Sequence, residues 1–286
     1  MIEGFTKVIG GNIYYKIYGA NKKGTPLLLI HGGPGYHGTL AAISPLSKKR
    51  KIIIYHQLGS GKSDRPNDKK LWVVERFVDE VEKLRIALNL NKMHVLGHSW
   101  GAAIAAEYAI KNKSHVRSLI LASPFLSAAI WVNDAKRLIK KIPLKMQQTI
   151  VTSTKTNDFK SKEYKAAVKE YYKRFLIRIK RPALSKLSLK LGNSDIYEYM
   201  WGPNEFSCTG TLKNYYVVEK LAYLDLPILI TCGKYDQITS DTVNSLVKKL
   251  KNAKAVMFSK SSHVPHLEEK EKYLKVINAF MNKNES

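Results

Sequence analysis

Short, uniformly apolar runs alternate along the chain with stretches whose apolar positions recur at helical spacing. Leu27-Leu28-Leu29-Ile30 and Ile52-Ile53-Ile54-Tyr55 are unbroken, each followed by a glycine-containing loop; His94-Val95-Leu96, Val116 to Leu121, Pro227 to Thr231 and Ala255 to Phe258 repeat the pattern. Runs without polar alternation predict parallel strands covered on both faces. Between them, Val74 to Leu90 has apolar residues at 74, 77, 78, 81, 84 and 88, and Gly101 to Lys111 is rich in alanine, so both predict helices. Alternating strand and helix implies an α/β fold whose sites lie at the carboxyl ends of the strands. The alternation stops after Phe125. From Leu126 to about Cys208 the pattern is amphipathic helix, including Ser161 to Ile179 and the basic stretch around Lys136 to Lys145, and strands resume at Pro227. The expected division is a core of residues 1–125 and 209–286 with a helical cap insertion at 126–208.

Composition narrows the class. The 286 residues are 44% apolar and 25% charged, enough for a sizeable core and too apolar for a disordered chain. No apolar run approaches the roughly 20 residues of a membrane helix. Met1 to Lys7 shows no basic segment followed by an apolar block, so no secretory signal is expected. Cys208 and Cys232 are too few for a disulfide framework and lack a CxxC spacing, which points to a reducing cytoplasm and no structural zinc.

Charge complicates this picture. The 48 basic residues against 23 acidic ones give a net charge of +25, a value that invites a polyanionic partner. Only 9 of the basic residues are Arg, the side chain suited to bidentate phosphate and base contacts, so a lysine bias over a solvated surface is the simpler reading. The excess is uneven, however: Val132 to Leu191 holds 17 basic and 4 acidic residues, a net +13 within the expected insertion.

Gly97-His98-Ser99-Trp100-Gly101 follows the strand at His94 to Leu96 and opens the next helix. This is G-x-S-x-G in a strand, sharp turn, helix context, where flanking side chains would meet neighbouring backbone and the serine is raised at the strand's carboxyl end. An ordinary serine in a βα turn loses weight because His31-Gly32-Gly33-Pro34-Gly35 also follows an early strand. There the Gly33 N–H, together with that of Trp100, can face a developing oxyanion. A serine nucleophile needs a base, and the base an orienting acid, in the order Ser, Asp or Glu, His. Asp236 follows the strand ending at Thr231, and His263 follows the strand ending at Phe258. Asp225 and Asp241 are weaker alternatives for the acid, and His266 is the rival for the base.

These residues resemble the proline iminopeptidase family of α/β-hydrolases, with the greatest similarity to the branch that works with the archaeal tricorn protease. Besides the two motifs above, the resemblance covers Tyr55 to Ser63, Met200-Trp201-Gly202-Pro203-Asn204-Glu205-Phe206, Gly233 to Asp236 and Ser262-His263, essentially the whole chain. It implies a mostly parallel eight-stranded sheet flanked by helices under a helical cap, and cofactor-free, metal-free release of N-terminal residues, often proline, from short peptides. It also implies a functional link to a larger peptide-producing protease. By resemblance Glu205 is the anchor for the substrate's free ammonium, which in a partly dry site needs a carboxylate. Three positions depart from the family. His56 stands where Asp is usual and Ala102 where Gly is usual. Gln237 replaces a Glu that would share the amine, and it accepts a hydrogen bond without supplying charge.

The expected function is therefore a serine aminopeptidase acting through Ser99, His263 and Asp236, with Gly33 and Trp100 as oxyanion donors and Glu205 with Gln237 as substrate-binding residues. Gln237 keeps open an esterase, lactonase or amino-acid amidase using the same triad. A third reading, nucleic-acid binding by the basic segment, would use Tyr164, Tyr171, Tyr172 and Phe175 as a stacking platform; the same spacing equally describes a core-facing stripe, and the triad disfavours a non-enzymatic role. A cationic cap would attract a carboxylate, so short peptides with free or anionic C-terminal groups are the expected substrates, with rates sensitive to ionic strength.

Overall fold

A computed structural model describes residues 1–285. Eight strands form one sheet: β1 (Ile2–Val8), β2 (Gly11–Tyr18), β3 (Gly24–Ile30), β4 (Arg50–Tyr55), β5 (Met93–His98), β6 (Val116–Ala122), β7 (Ile228–Gly233) and β8 (Ala253–Phe258). Their spatial order is β1-β2-β4-β3-β5-β6-β7-β8. β2 is antiparallel to both β1 and β4, and every other neighbouring pair is parallel. The apolar runs are buried on both faces because successive side chains point to opposite sides. Leu28 and Ile30 pack with Phe77, Val81 and the alanines at 102–106 on one side, while Leu27 and Leu29 meet Tyr273, Ile277 and Met281 on the other.

α1 (Val74–Ala87) and α2 (Trp100–Lys111) occupy the stretches whose periodicity predicts helix. β8 departs from the expected burial: its first five residues are partly or wholly exposed, because it forms one edge of the sheet. The β1–β2 hairpin carries no continuous apolar run and forms the other edge.

Between β6 and β7 lie α3 (Ala128–Ile139), α4 (Leu144–Thr156), α5 (Lys162–Phe175), α6 (Ala183–Lys190), α7 (Ser194–Met200) and the short α8 (Val218–Ala222). The basic stretch at 136–145 is not one helix. α3 ends at Ile139, and Pro143 caps the start of α4, where its fixed φ and missing N–H do least harm. α5 starts after the Ser161 cap and stops at Phe175, short of Ile179. α3, α4 and α5 share an apolar cluster of their own that includes Leu138, Ile150, Tyr171 and Phe206. Buried Asp134 of α3 ties this layer to the sheet side by accepting from the Thr239 N–H at 2.8 Å and the Thr239 and Thr242 hydroxyls at 3.0 Å. α9 (Ser240–Lys249), α10 (Pro265–Glu268) and α11 (Lys270–Lys283) complete the chain. No helix among the described residues is long and apolar enough to cross a membrane.

Candidate active site

Ser99 stands between β5 and α2 with φ 55° and ψ −122°. A left-handed φ is strained for a residue with a Cβ, by about 1–3 kcal/mol, and persists only where the surroundings enforce it. Here they do. The Ser99 N–H donates to the Ala122 carbonyl at 2.9 Å, and its carbonyl accepts from Ala102 and Phe125. A Cβ on Gly97 would land on the Gly101 carbonyl, and one on Gly101 would land on the carbonyls of Ile30 and His31. Both flanking glycines are thus demanded by backbone approach. The Trp100 N–H is the first of α2, at the positive end of the helix dipole and without an intrahelical acceptor.

Asp236 lies behind His263 in the loop after β7. Its Oδ1 accepts from His263 Nδ1 at 2.7 Å and the Ile238 N–H at 3.3 Å; its Oδ2 accepts from the Ser123 hydroxyl at 2.6 Å and the Gly233 N–H at 3.2 Å. With Nδ1–H donating to Asp236, Nε2 is the ring's acceptor, the tautomer that a general base requires. Asp225 and Asp241 are exposed at the surface, away from this ring. His266 is buried and is not among the hydrogen-bond partners of Asp236; its Nε2 pairs with the Thr39 hydroxyl at 2.6 Å.

Ser99, His263, Gly33, Trp100, Glu205 and Gln237 all border one cavity of about 300 Å³. Its remaining wall is largely aromatic and aliphatic, including Tyr36, Phe125, Trp131, Tyr197 and Trp201. Glu205 accepts from the Tyr197 hydroxyl, and among the described residues no Lys or Arg pairs with it. Burial raises its carboxyl above the usual range, opposed by the Tyr197 hydrogen bond, the nearby His263 ring and Trp131. The Gln237 side chain is buried, and its amide oxygen has no hydrogen-bond partner. The cavity therefore holds one unpaired carboxylate and one free acceptor, a set suited to an ammonium.

Several contributors are invisible in the sequence patterns. Ser123, itself at φ 47°, orients Asp236 from the carboxyl end of β6, a position that could have flagged it. His98 Nε2 lies 2.8 Å from the His263 carbonyl, tying down the His263 backbone, and burial lowers the His98 pKa to about 3, so that ring stays neutral 4.9 Å from His263. Gln57 ties the glycine-rich loop after β3 to the Ser99 turn: its amide donates to the His31 carbonyl at 2.8 Å and accepts from Trp100 Nε1 at 3.0 Å. His56, by contrast, does not border the cavity. It stacks on His37 and accepts from the Lys62 N–H, a loop-holding arrangement. Tyr164, Tyr171 and Phe175 are buried, so they offer no stacking platform to a nucleic acid. Among the described residues no group of His, Cys, Asp and Glu is placed to hold a metal ion.

A family model described as alpha/beta hydrolase fold matches residues 25–270. The chain is 42% identical to the proline iminopeptidase of Heyndrickxia coagulans, with 98% of each chain covered. It is 38% identical to that of Saccharolobus solfataricus over 98% of this chain and 92% of the relative. The crystal structure of a Mycobacterium smegmatis proline iminopeptidase superposes with a TM-score of 0.91 at 27% identity, covering 99% of each chain. With its full-length similarity to these enzymes, the chain belongs to the proline iminopeptidase family of the α/β-hydrolase fold.

Proposed function

We propose that the protein is a serine aminopeptidase that releases N-terminal residues, proline among them, from short peptides through an acyl-enzyme. The observation that carries this reading is Glu205, a carboxylate without a cationic partner in the same cavity as Ser99 and His263. A buried charge needs a partner, and a peptide's N-terminal ammonium is one that fits a cavity large enough for only a residue or two.

Ser99 attacks the first peptide carbonyl while His263 Nε2 takes its proton and then delivers it to the leaving amine. Asp236 holds the imidazole in the needed tautomer and stabilises the imidazolium. The oxyanion sits against the Gly33 and Trp100 N–H groups at the head of α2. Glu205 and the free Gln237 amide oxygen hold the ammonium, which limits entry so that only the first peptide bond reaches Ser99. Residues 126–208 act as a cap over a core formed by 1–125 and 209–286, and Trp131, Tyr197, Trp201 and Glu205 are among the residues it contributes to the cavity wall. Two unpaired cysteines fit a reducing cytoplasm, where a larger protease would supply short peptides.

Gln237 favours a second reading. Only one full charge faces the amine, so uncharged esters or amides could also be accepted. Prolyl arylamide hydrolysis by the native protein and by Ser99→Ala tests the main reading: arylamine release is expected from the first and is expected to be lost in the second by at least about 10³-fold. Equal release from both would overturn it.

A further inference from the structure

Of the 17 basic residues between Val132 and Leu191, only Arg181 borders the catalytic cavity. It is half-buried, none of the ion pairs among the described residues includes it, and its side-chain contact is with the Ser185 hydroxyl at 3.4 Å. Glu205 is held instead by Tyr197, so the cavity carries two separately available charges of opposite sign. Arg181, Tyr172 and Ile177 also border a second, surface groove of about 630 Å³, which makes them the partition between the two spaces. Along that groove Lys165, Lys169 and Lys173 recur every four residues on one exposed face of α5. The groove's one carboxylate, Glu170, is already paired with Arg174 at 2.6 Å. Met146, Val168 and Ile179 supply its apolar positions.

We propose that Arg181 and the groove beyond it form the subsite for the leaving side of the substrate: Arg181 binds the terminal carboxylate of a dipeptide or tripeptide, and the α5 lysines bind acidic side chains of longer peptides. The inference rests on the aminopeptidase reading, since a substrate fixed at its ammonium by Glu205 must extend from Ser99 toward the rest of the cavity. The occupant follows from charge. A guanidinium in a half-dry wall with no anionic partner is complemented by a carboxylate, and the fork geometry of Arg suits that group better than a point charge would. Beyond the partition the lysines are exposed, so their share is longer in range and more easily screened.

The test measures kcat/KM for prolyl-alanine as free acid and as amide, and for amidated prolyl tetrapeptides carrying Glu or Gln at the last two positions. The native protein is expected to favour the free acid by about tenfold, the scale of one charge-assisted hydrogen bond, with the preference shrinking as ionic strength rises. Arg181→Gln is expected to bring the acid-to-amide ratio near one, and Arg181→Lys to leave an intermediate value. Replacing Lys165, Lys169 and Lys173 together by Gln is expected to erase the preference for Glu over Gln in the tetrapeptides. Each ratio is taken within one protein preparation, so partial misfolding cancels. A native acid-to-amide ratio of one, or a native ratio retained in Arg181→Gln, overturns the subsite while prolyl arylamide cleavage leaves the aminopeptidase reading standing. Cleavage of no prolyl compound at all overturns both.

Discussion

Four donors converge on the Asp236 carboxylate, and the shortest of these contacts comes from Ser123. Ser123 touches no substrate; it acts by holding Asp236, and through it the His263 ring. Ser123→Ala is expected to lower kcat by about tenfold with KM little changed, since one hydrogen bond to a charged group is lost and three remain. Steady-state kinetics on a prolyl arylamide checks this, and an effect confined to KM would contradict it. Glu205 sets a second expectation. Burial holds its carboxyl above the ordinary value of 4.5, and only the ionised form pairs with an ammonium. As pH falls through this raised value Glu205 protonates, the amine loses its partner, and KM for free-amine substrates rises. In Glu205→Gln that KM dependence is expected to vanish; an unchanged KM profile would exclude Glu205 as the amine's partner.

At the scale of elements, the central strands are legible because burial on both faces leaves a continuous apolar signature, and the helices after β4 and β5 are legible from their periodicity and alanine content. What escaped depends on tertiary position. β8 reads as a buried strand but lies at the edge, and the β1–β2 hairpin has only local alternation to declare it. The break at Lys140 to Pro143 was signalled by proline, yet the basic stretch around it masks the change of helix. Ser99, Asp236 and His263 stood out because a turn motif and a fixed chain order accompany them. Ser123 and Arg181 did not, since their significance arises only when β6 meets the loop after β7 and when the chain after α5 returns to the cavity. Asp134 is a similar case: it reads as one acid on a basic helix, but it accepts from three donors around the start of α9. Asp134→Ala leaves the partly buried Thr239 N–H without its acceptor and is expected to cost about 1–3 kcal/mol, read as a lower urea midpoint with an unchanged slope. A midpoint equal to that of the native protein would mean that α3 is not anchored there.

For the whole molecule, burial lowers the pKa values of six of the eight histidines: His98 and His56 to about 3, His94 to about 4, and His31, His37 and His266 in the same direction. The unfolded chain takes up these protons near the ordinary value of 6.5, whereas the folded chain does not until well below it. Stability is therefore fully present above about pH 6.5 and lost as pH falls toward the folded values, by up to roughly 1.4 kcal/mol per pH unit for each histidine. Glu80, Glu107, Glu205 and Glu268, whose carboxyls burial raises, work in the opposite sense as they protonate. The histidines are expected to prevail, so urea midpoints measured at pH 7 and pH 5 should show a clear loss at the lower pH; equal midpoints would contradict the buried, neutral assignment. The net charge of +25 now separates into a solvated lysine surface, a stripe on α5 and one arginine at the cavity, opposite in sign to Glu205, the proposed amine anchor. That glutamate is the centre of the functional account. Its most direct test compares kcat/KM for a free prolyl arylamide and its N-acetylated counterpart in the native protein and in Glu205→Ala. The account expects the native protein to prefer the free amine by about 10²-fold or more, the scale of a desolvated charge pair, and Glu205→Ala to lose most of that preference. Equal cleavage of blocked and free substrates by the native protein would contradict it.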